Sequence, residues 1–262
     1  MLVLLPPSEG KFAPRRGKAL DLEALSFPSL TSTREQVLES LVTLARGDVD
    51  RAVAVLGISP RQVEEVRRDA ALDTAPTATA SVVYSGVLYE ALDLASLDTA
   101  ARRRAQRTVV VSSALFGALR LGDRIPAYRL SGHVSLPGLG ALTALWRDPL
   151  ATAMTEAAGR GLVIDLRSGT YAGMWKPVGD TASRTVAVRV LQEMPDGSRT
   201  VVSHVNKATK GHLVRRWLVD GADPRDADAL AEVCEQAGVT AELGPRPKPG
   251  AVRSLDVVVS DL

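Results

Sequence analysis

Four consecutive apolar residues, Leu2 to Leu5, stop at Pro6-Pro7. An apolar run of that length ended by proline predicts a strand buried on both faces, delivering the loop Pro6-Pro-Ser-Glu-Gly-Lys11 to the end of a sheet. Val37, Leu38, Leu41, Val42 and Leu44 then recur at helical spacing behind the hydroxyls of Thr31-Ser-Thr33, which predicts a helix over 33–46. Two shorter helical patterns follow, one over 49–55 and one from Pro60 to 70, joined by Leu56-Gly-Ile-Ser59. Residues 71–82 read as a loop entering Val82-Val83-Tyr84, with helices from Gly86 and over 97–106 after it. Thr108 to Ser112 is β-branched until it stops at two serines, and predicts a central strand. The segment from Ala114 to Arg120 reads as a connection turning through Gly122-Asp123 toward Ile125-Pro-Ala-Tyr-Arg129.

The second half predicts a helix over 140–158 and a strand over 162–166. Two strands, 184–193 and 199–206, form a hairpin by the turn chemistry of Pro195-Asp-Gly-Ser198. Helices over 207–219 and 226–237, a Pro- and Gly-rich stretch at 244–250 and a last strand over 254–259 complete the chain. Strands interleaved with helices in this order predict an α/β (mixed α+β) fold, a mixed central sheet flanked by helices, with residues 1–262 as one domain.

Composition narrows the function classes. Hydrophobic residues are 45% and charged ones 24%, ordinary globular usage. No apolar run approaches the roughly 20 residues a membrane-spanning helix needs, so no membrane partner is expected. A lone cysteine, Cys234, excludes an internal disulfide framework, and with three scattered histidines it leaves no zinc-finger spacing, so a reducing cytoplasm is expected and no cofactor is implied. The net charge of +2 does not by itself announce nucleic acid. Basic residues do concentrate at Arg15-Arg16-Lys18, at Arg102 to Arg104 with Arg107, and at Lys207, Lys210, Arg215 and Arg216, although such clusters are ordinarily solvated helix faces.

Polar clusters fall where predicted strands end, and α/β proteins bind ligands outside the carboxyl ends of their strands. Ser8, Glu9 and Lys11 follow the first strand, and Ser112 and Ser113 follow the second. Asp165, Ser168 and Tyr171 end the third, and Asn206, Lys207 and Lys210 follow the hairpin. Converging, they would form a basic cleft suited to an anion, with Glu9 or Asp165 as general base and Lys11 or Lys207 as electrostatic partner. The structural alternative is that Ser8 and Ser113 cap helices and Glu9 pairs with an arginine. Arg120, Asp123, Tyr128 and Arg129 form the densest polar group, fit either to fork onto an anion or to pin their own loop through an Arg–Asp pair. Leu56-Gly-Ile-Ser-Pro60 has the form of a helical hairpin that grips DNA phosphate through backbone amides, supported by Arg61, Arg67 and Arg68, or of an ordinary helical connection. His133, His204 and His212 are isolated. Cys234 and the tryptophans Trp146, Trp175 and Trp217 read as packing.

Taken in order, these segments resemble the YaaA family of peroxide-stress proteins. The resemblance rests on the first strand with Pro6-Pro-Ser-Glu-Gly-Lys11, Tyr84-Ser-Gly86 with Tyr89, Ser113-Ala-Leu-Phe-Gly117 with Arg120, and Pro126-Ala-Tyr-Arg129. It continues through Leu145-Trp146, Asp165-Leu-Arg-Ser168 with Tyr171, and Lys207-Ala-Thr-Lys-Gly211, covering residues 2–218. It implies a cytosolic protein with a positively charged cleft, linked to hydrogen peroxide resistance through lowered free iron, and proposed to bind DNA. No facial triad of two histidines and a carboxylate can be placed. Two functions remain open. One is a protein that binds DNA or a nucleotide-like anion, using Lys207, Lys210, Arg215, Arg216 and the Arg61–Arg68 helix. The other is an enzyme on a small anionic substrate, with Glu9 or Asp165 as acid/base and Arg120, Arg129 and Lys207 as clamps. Ser8, Lys11, Ser113, Tyr128, Ser168 and Tyr171 complete the candidate set, and nothing in the sequence sets an oligomeric state.

Overall fold

The apolar runs assemble the sheet. In the computed structural model, which describes residues 1–194 and 198–260, five strands lie parallel in the order Arg253–Ser260, Thr185–Glu193, Val163–Asp165, Leu2–Leu5, Val109–Ser113. An antiparallel strand closes each side, Thr240–Leu243 beyond Arg253–Ser260 and Gly117–Arg120 beyond Val109–Ser113. Leu2 to Leu5 are buried throughout, as strands covered on both faces must be. Val109 to Ser113 are also fully buried, but that strand is second from the edge, and the middle place falls to Val163–Asp165.

Gly117–Arg120 was expected as irregular chain. It is an edge strand because its outward carbonyls are satisfied by a side chain. Arg34, completely buried on the helix Thr31–Arg46, donates Nε to the Phe116 carbonyl at 3.0 Å and Nη2 to those of Ala118 at 2.9 Å and Ser26 at 2.7 Å. The edge is thereby covered.

The hairpin expected around Pro195-Asp-Gly-Ser198 has its turn outside the described residues, and its second strand is short: only Arg199 and Thr200 pair, with Glu193 and Gln192. The run Val201 to Asn206, expected to continue that strand, instead starts the helix Ser203–Asp220. Packing overrides the β-branched residues here. Leu213, Val214, Trp217 and Leu218 are buried against the core, and one further turn lets Asn206 Nδ2 donate to the Val190 carbonyl at 3.3 Å. The expected helix over 140–158 is two, Leu142–Leu145 and Arg147–Ala158. Among the described residues no helix is long and apolar enough to cross a membrane.

Candidate functional site

The first strand releases the chain at Pro6, and the Ser8–Lys11 loop is tied down at once. Tyr89 Oη donates to the Pro6 carbonyl at 2.7 Å, and Ser8 Oγ accepts the Ser85 amide at 3.1 Å while donating to the Gly10 carbonyl at 2.7 Å. Lys11 bridges Tyr84 in antiparallel fashion. Between this loop, the helices Val87–Leu92 and Gly169–Met174, mid-strand Val188 and Arg189, and the first turns of Ser203–Asp220 lies a cavity of about 640 Å³. It opens where Leu2–Leu5 and Val163–Asp165 end, the usual place for a ligand in such a sheet.

Seven of the strand-end polar residues line this one cavity: Ser8, Glu9, Ser168, Tyr171, Asn206, Lys207 and Lys210. Glu9 is half exposed and pairs with Arg129 at 2.7 Å. Arg129 is fixed from behind, its backbone amide donating to Asp69 Oδ1 at 2.8 Å. Tyr171 is buried, its Oη accepting the Gly132 amide at 3.3 Å, and burial pushes its phenol up to about 12. Lys210 donates Nζ to the Leu166 carbonyl at 3.0 Å, and burial lowers its affinity for the proton. Arg167 and Arg189 also face the cavity, each already committed to a carboxylate. Among the described residues, Lys207 is the cation in this cavity with no protein partner, and it is exposed.

A second group stands behind the loop. Lys11 Nζ donates to the Ser8 carbonyl at 2.7 Å and lies 4.2 Å from the centroid of the Tyr128 ring. Tyr128 Oη bonds Tyr84 Oη at 2.9 Å and Ser113 Oγ at 2.7 Å, and Ser113 in turn accepts the Phe116 amide at 3.0 Å. Burial pushes both phenols up, Tyr128 well above its ordinary value, so neither serves as a base near neutrality.

Three expected residues are held elsewhere. The Asp165 carboxylate is fully engaged by Arg167, through Nε at 2.9 Å, Nη2 at 2.7 Å and the backbone amide at 3.0 Å. Arg167 also reaches the carbonyls of Tyr171 and Trp175, so the pair holds the helix Gly169–Met174 in place. Arg120 points to the opposite end of the sheet, donating to the Arg107 carbonyl at 2.7 Å and lying over the Phe27 ring. Arg215 binds the carbonyls of Leu92 and Asp93 and the Ser96 hydroxyl, fastening the end of the helix Val87–Leu92. Asp69 is the residue that sequence reading missed. It lies among alternating charges on the helix Val63–Asp69, and nothing in that pattern distinguishes it from a solvated acid.

A family model described as peroxide stress protein YaaA matches residues 1–238. The chain belongs to the YaaA family of peroxide stress proteins. Over the full length of both chains it is 52% identical to a UPF0246 protein of Streptomyces coelicolor. It is 42% identical over 252 residues to a UPF0246 protein of Corynebacterium glutamicum, covering 95% of this chain and 97% of that one. A UPF0246 protein of Shewanella halifaxensis is 26% identical over 242 residues, 87% of this chain and 89% of the relative. YaaA membership carries a general role in the response to peroxide stress.

Proposed function

We propose that this YaaA protein serves peroxide defence by binding a nucleotide unit in the cleft, free or as part of a nucleic acid, with its phosphate on Lys207. The observation that carries the reading is a cation without a partner among the described residues, lining a cavity of about 640 Å³ whose other cations are engaged by carboxylates or carbonyls. A volume of that size suits a mononucleotide. Val87, Leu88, Tyr89, Val188 and Val201 offer apolar walls to a base, and Ser8 and Ser168 offer hydroxyls to a sugar or phosphate. The Glu9 carboxylate, held by Arg129, keeps anions to the Lys207 side of the cavity.

The helical hairpin at Leu56–Pro60 is a weaker place for phosphate. Gly57 is left-handed with φ 63°, as such a turn requires, but the amides around it are used internally. Those of Gly57 and Ile58 donate to the carbonyls of Ala54 and Val53, while those of Ser59 and Arg61 donate to the side chains of Gln62 and Ser59. Arg67 and Arg68 pair with Glu64 and Glu65.

Titration calorimetry with AMP, dAMP, a short single strand and a duplex tests the reading. Mononucleotide binding is expected, weakened about tenfold in Lys207→Ala, the worth of one charge-assisted hydrogen bond. Binding confined to the duplex, or mononucleotide binding indifferent to Lys207→Ala, overturns it.

A further inference from the structure

The end of the sheet opposite the cleft carries a second cavity, of about 310 Å³. It lies where the parallel strands begin: Leu162 precedes Val163–Asp165, Val186 is the second residue of Thr185–Glu193, and Arg253 opens Arg253–Ser260. The Pro- and Gly-rich loop at 244–250 and the first residues of the helix Ala227–Gln236 wall it. Five cations line it, Arg184, Arg225, Arg246, Lys248 and Arg253, against two carboxylates, Asp226 and Asp228, so the lining carries a surplus of three positive charges.

One of the two carboxylates is already used. Asp226 accepts the Ala229 amide at 2.9 Å as the helix cap. Asp228 is left to face the cations, and it holds them loosely. Arg253 Nη1 stands 3.4 Å from each of its oxygens and Arg246 Nη2 stands 4.0 Å from one, whereas arginine–carboxylate pairs elsewhere in the sheet and in the cleft close to 2.6–2.7 Å. Arg253 is tethered from its other side, Nε donating to the Gly244 carbonyl at 3.1 Å. Arg184 donates to the carbonyls of Gly159 and Gly161, which fix the guanidinium but leave its charge unbalanced. Among the described residues the side chains of Arg225 and Lys248 have no partner, and both are exposed. Like charges gathered around one cavity repel, and loose exposed ion pairs offset little of that.

We propose that this cavity is a second anion site and that it takes a diphosphate group, free or as the tail of a nucleotide. Four of its five cations are arginines, whose planar forks meet phosphate oxygens two at a time. A single phosphate ester carries about 1.5 to 2 negative charges at neutral pH and leaves part of the surplus unbalanced, so two linked phosphates fit better. Arg246 and Lys248 alternate with Pro247 and Pro249, and a loop stiffened in this way loses less freedom on closing over a ligand. Asp228 is then a placeholder that the anion displaces from Arg246 and Arg253. Arg246, Lys248 and Arg253 lie beyond residue 238, where the family model ends, and no residue of the cleft is needed.

Titration calorimetry of the full-length chain with pyrophosphate, ADP and inorganic phosphate, repeated in Lys207→Ala to weaken the cleft, is the test. One pyrophosphate per chain is expected, held about tenfold more tightly than inorganic phosphate and unaffected by Lys207→Ala. Arg225→Ala/Lys248→Ala is expected to weaken it about tenfold or more, and since both side chains are exposed and unpartnered the fold should be untouched. Arg15→Ala/Arg16→Ala removes the same charge from exposed chain outside the cavity and is expected to change binding less than about twofold. Asp228→Asn is expected to tighten binding. In Lys207→Ala, ADP held more tightly than pyrophosphate identifies a nucleotide tail as the occupant, and the reverse order identifies free diphosphate. No pyrophosphate binding, equal losses in the two double variants, or a loss in Lys207→Ala alone overturns the second site and leaves the cleft to its own test. Inorganic phosphate held as tightly as pyrophosphate overturns the diphosphate.

Discussion

Cys234 is the residue at which a peroxide stress role would most simply meet the oxidant, since thiolates react with peroxide and thiols do not. It is completely buried on the helix Ala227–Gln236, and burial pushes its thiol up to about 12. Almost no thiolate exists at neutral pH. Native protein treated with hydrogen peroxide and then probed for sulfenic acid should therefore show no modification at Cys234, while the urea-unfolded chain reacts readily. Fast modification of the folded chain would restore the cysteine as a sensor.

At the scale of elements, the cleft wall depends on one close approach. The helix Ser203–Asp220 lies against Val87–Leu92 so tightly at Gly211 that a Cβ there would sit 2.2 Å from the Leu88 carbonyl oxygen and 2.7 Å from Ala91 Cβ. Val87 and Leu88 line the cavity, so any shift reaches it. Gly211→Ala should lower the urea midpoint, corresponding to about 1–3 kcal/mol of overpacking, and weaken nucleotide binding at the same time. An unchanged midpoint would mean that the two helices yield freely.

The elements the sequence made legible are those whose own residues decide them. Leu2–Leu5 and Val109–Ser113 are apolar without interruption, and Thr31–Arg46 carries a helical stripe. The gathering of Ser8, Glu9, Ser168, Tyr171, Lys207 and Lys210 at one end of the sheet followed from reading strand ends. What escaped depends on partners distant in the chain. Gly117–Arg120 is a strand because Arg34 satisfies it, and the turn from Ser203 is helical because Val190 and the core receive it. Asp69 and Arg34 look like surface charges among neighbours of the same kind, and only tertiary burial makes them otherwise.

The whole molecule carries the Lys11–Asp69 pair in its response to pH. Folded Asp69 holds its proton to about pH 8, whereas its ordinary value is 3.8, so folding takes up a proton between these limits and stability falls as pH rises through them. Lys11 acts in the opposite sense above that window. Its folded value of about 8 lies below the ordinary 10.5, and stability recovers as pH rises from one to the other. The pair thus contributes least near pH 8. Thermal melts of wild type and Asp69→Asn across about pH 5 to 8 should show the wild-type advantage shrinking steadily. A constant difference would place the Asp69 proton elsewhere.

The strand Arg253–Ser260 runs in register with Thr185–Glu193 along nearly its whole length, and both it and Thr240–Leu243 lie beyond the part of the chain that the family model matches. Ending the chain at residue 238 would strip one side of Thr185–Glu193 and expose a long row of unpaired amides and carbonyls, a template for another copy. Such a truncation should sediment as oligomers or aggregate, whereas the full chain ends its sheet on the four residues Thr240–Leu243, with Glu242 tied to Arg199 by two hydrogen bonds. The C-terminal strands are in that sense a built-in guard against edge-to-edge association, placed on the flank of the sheet away from the cleft.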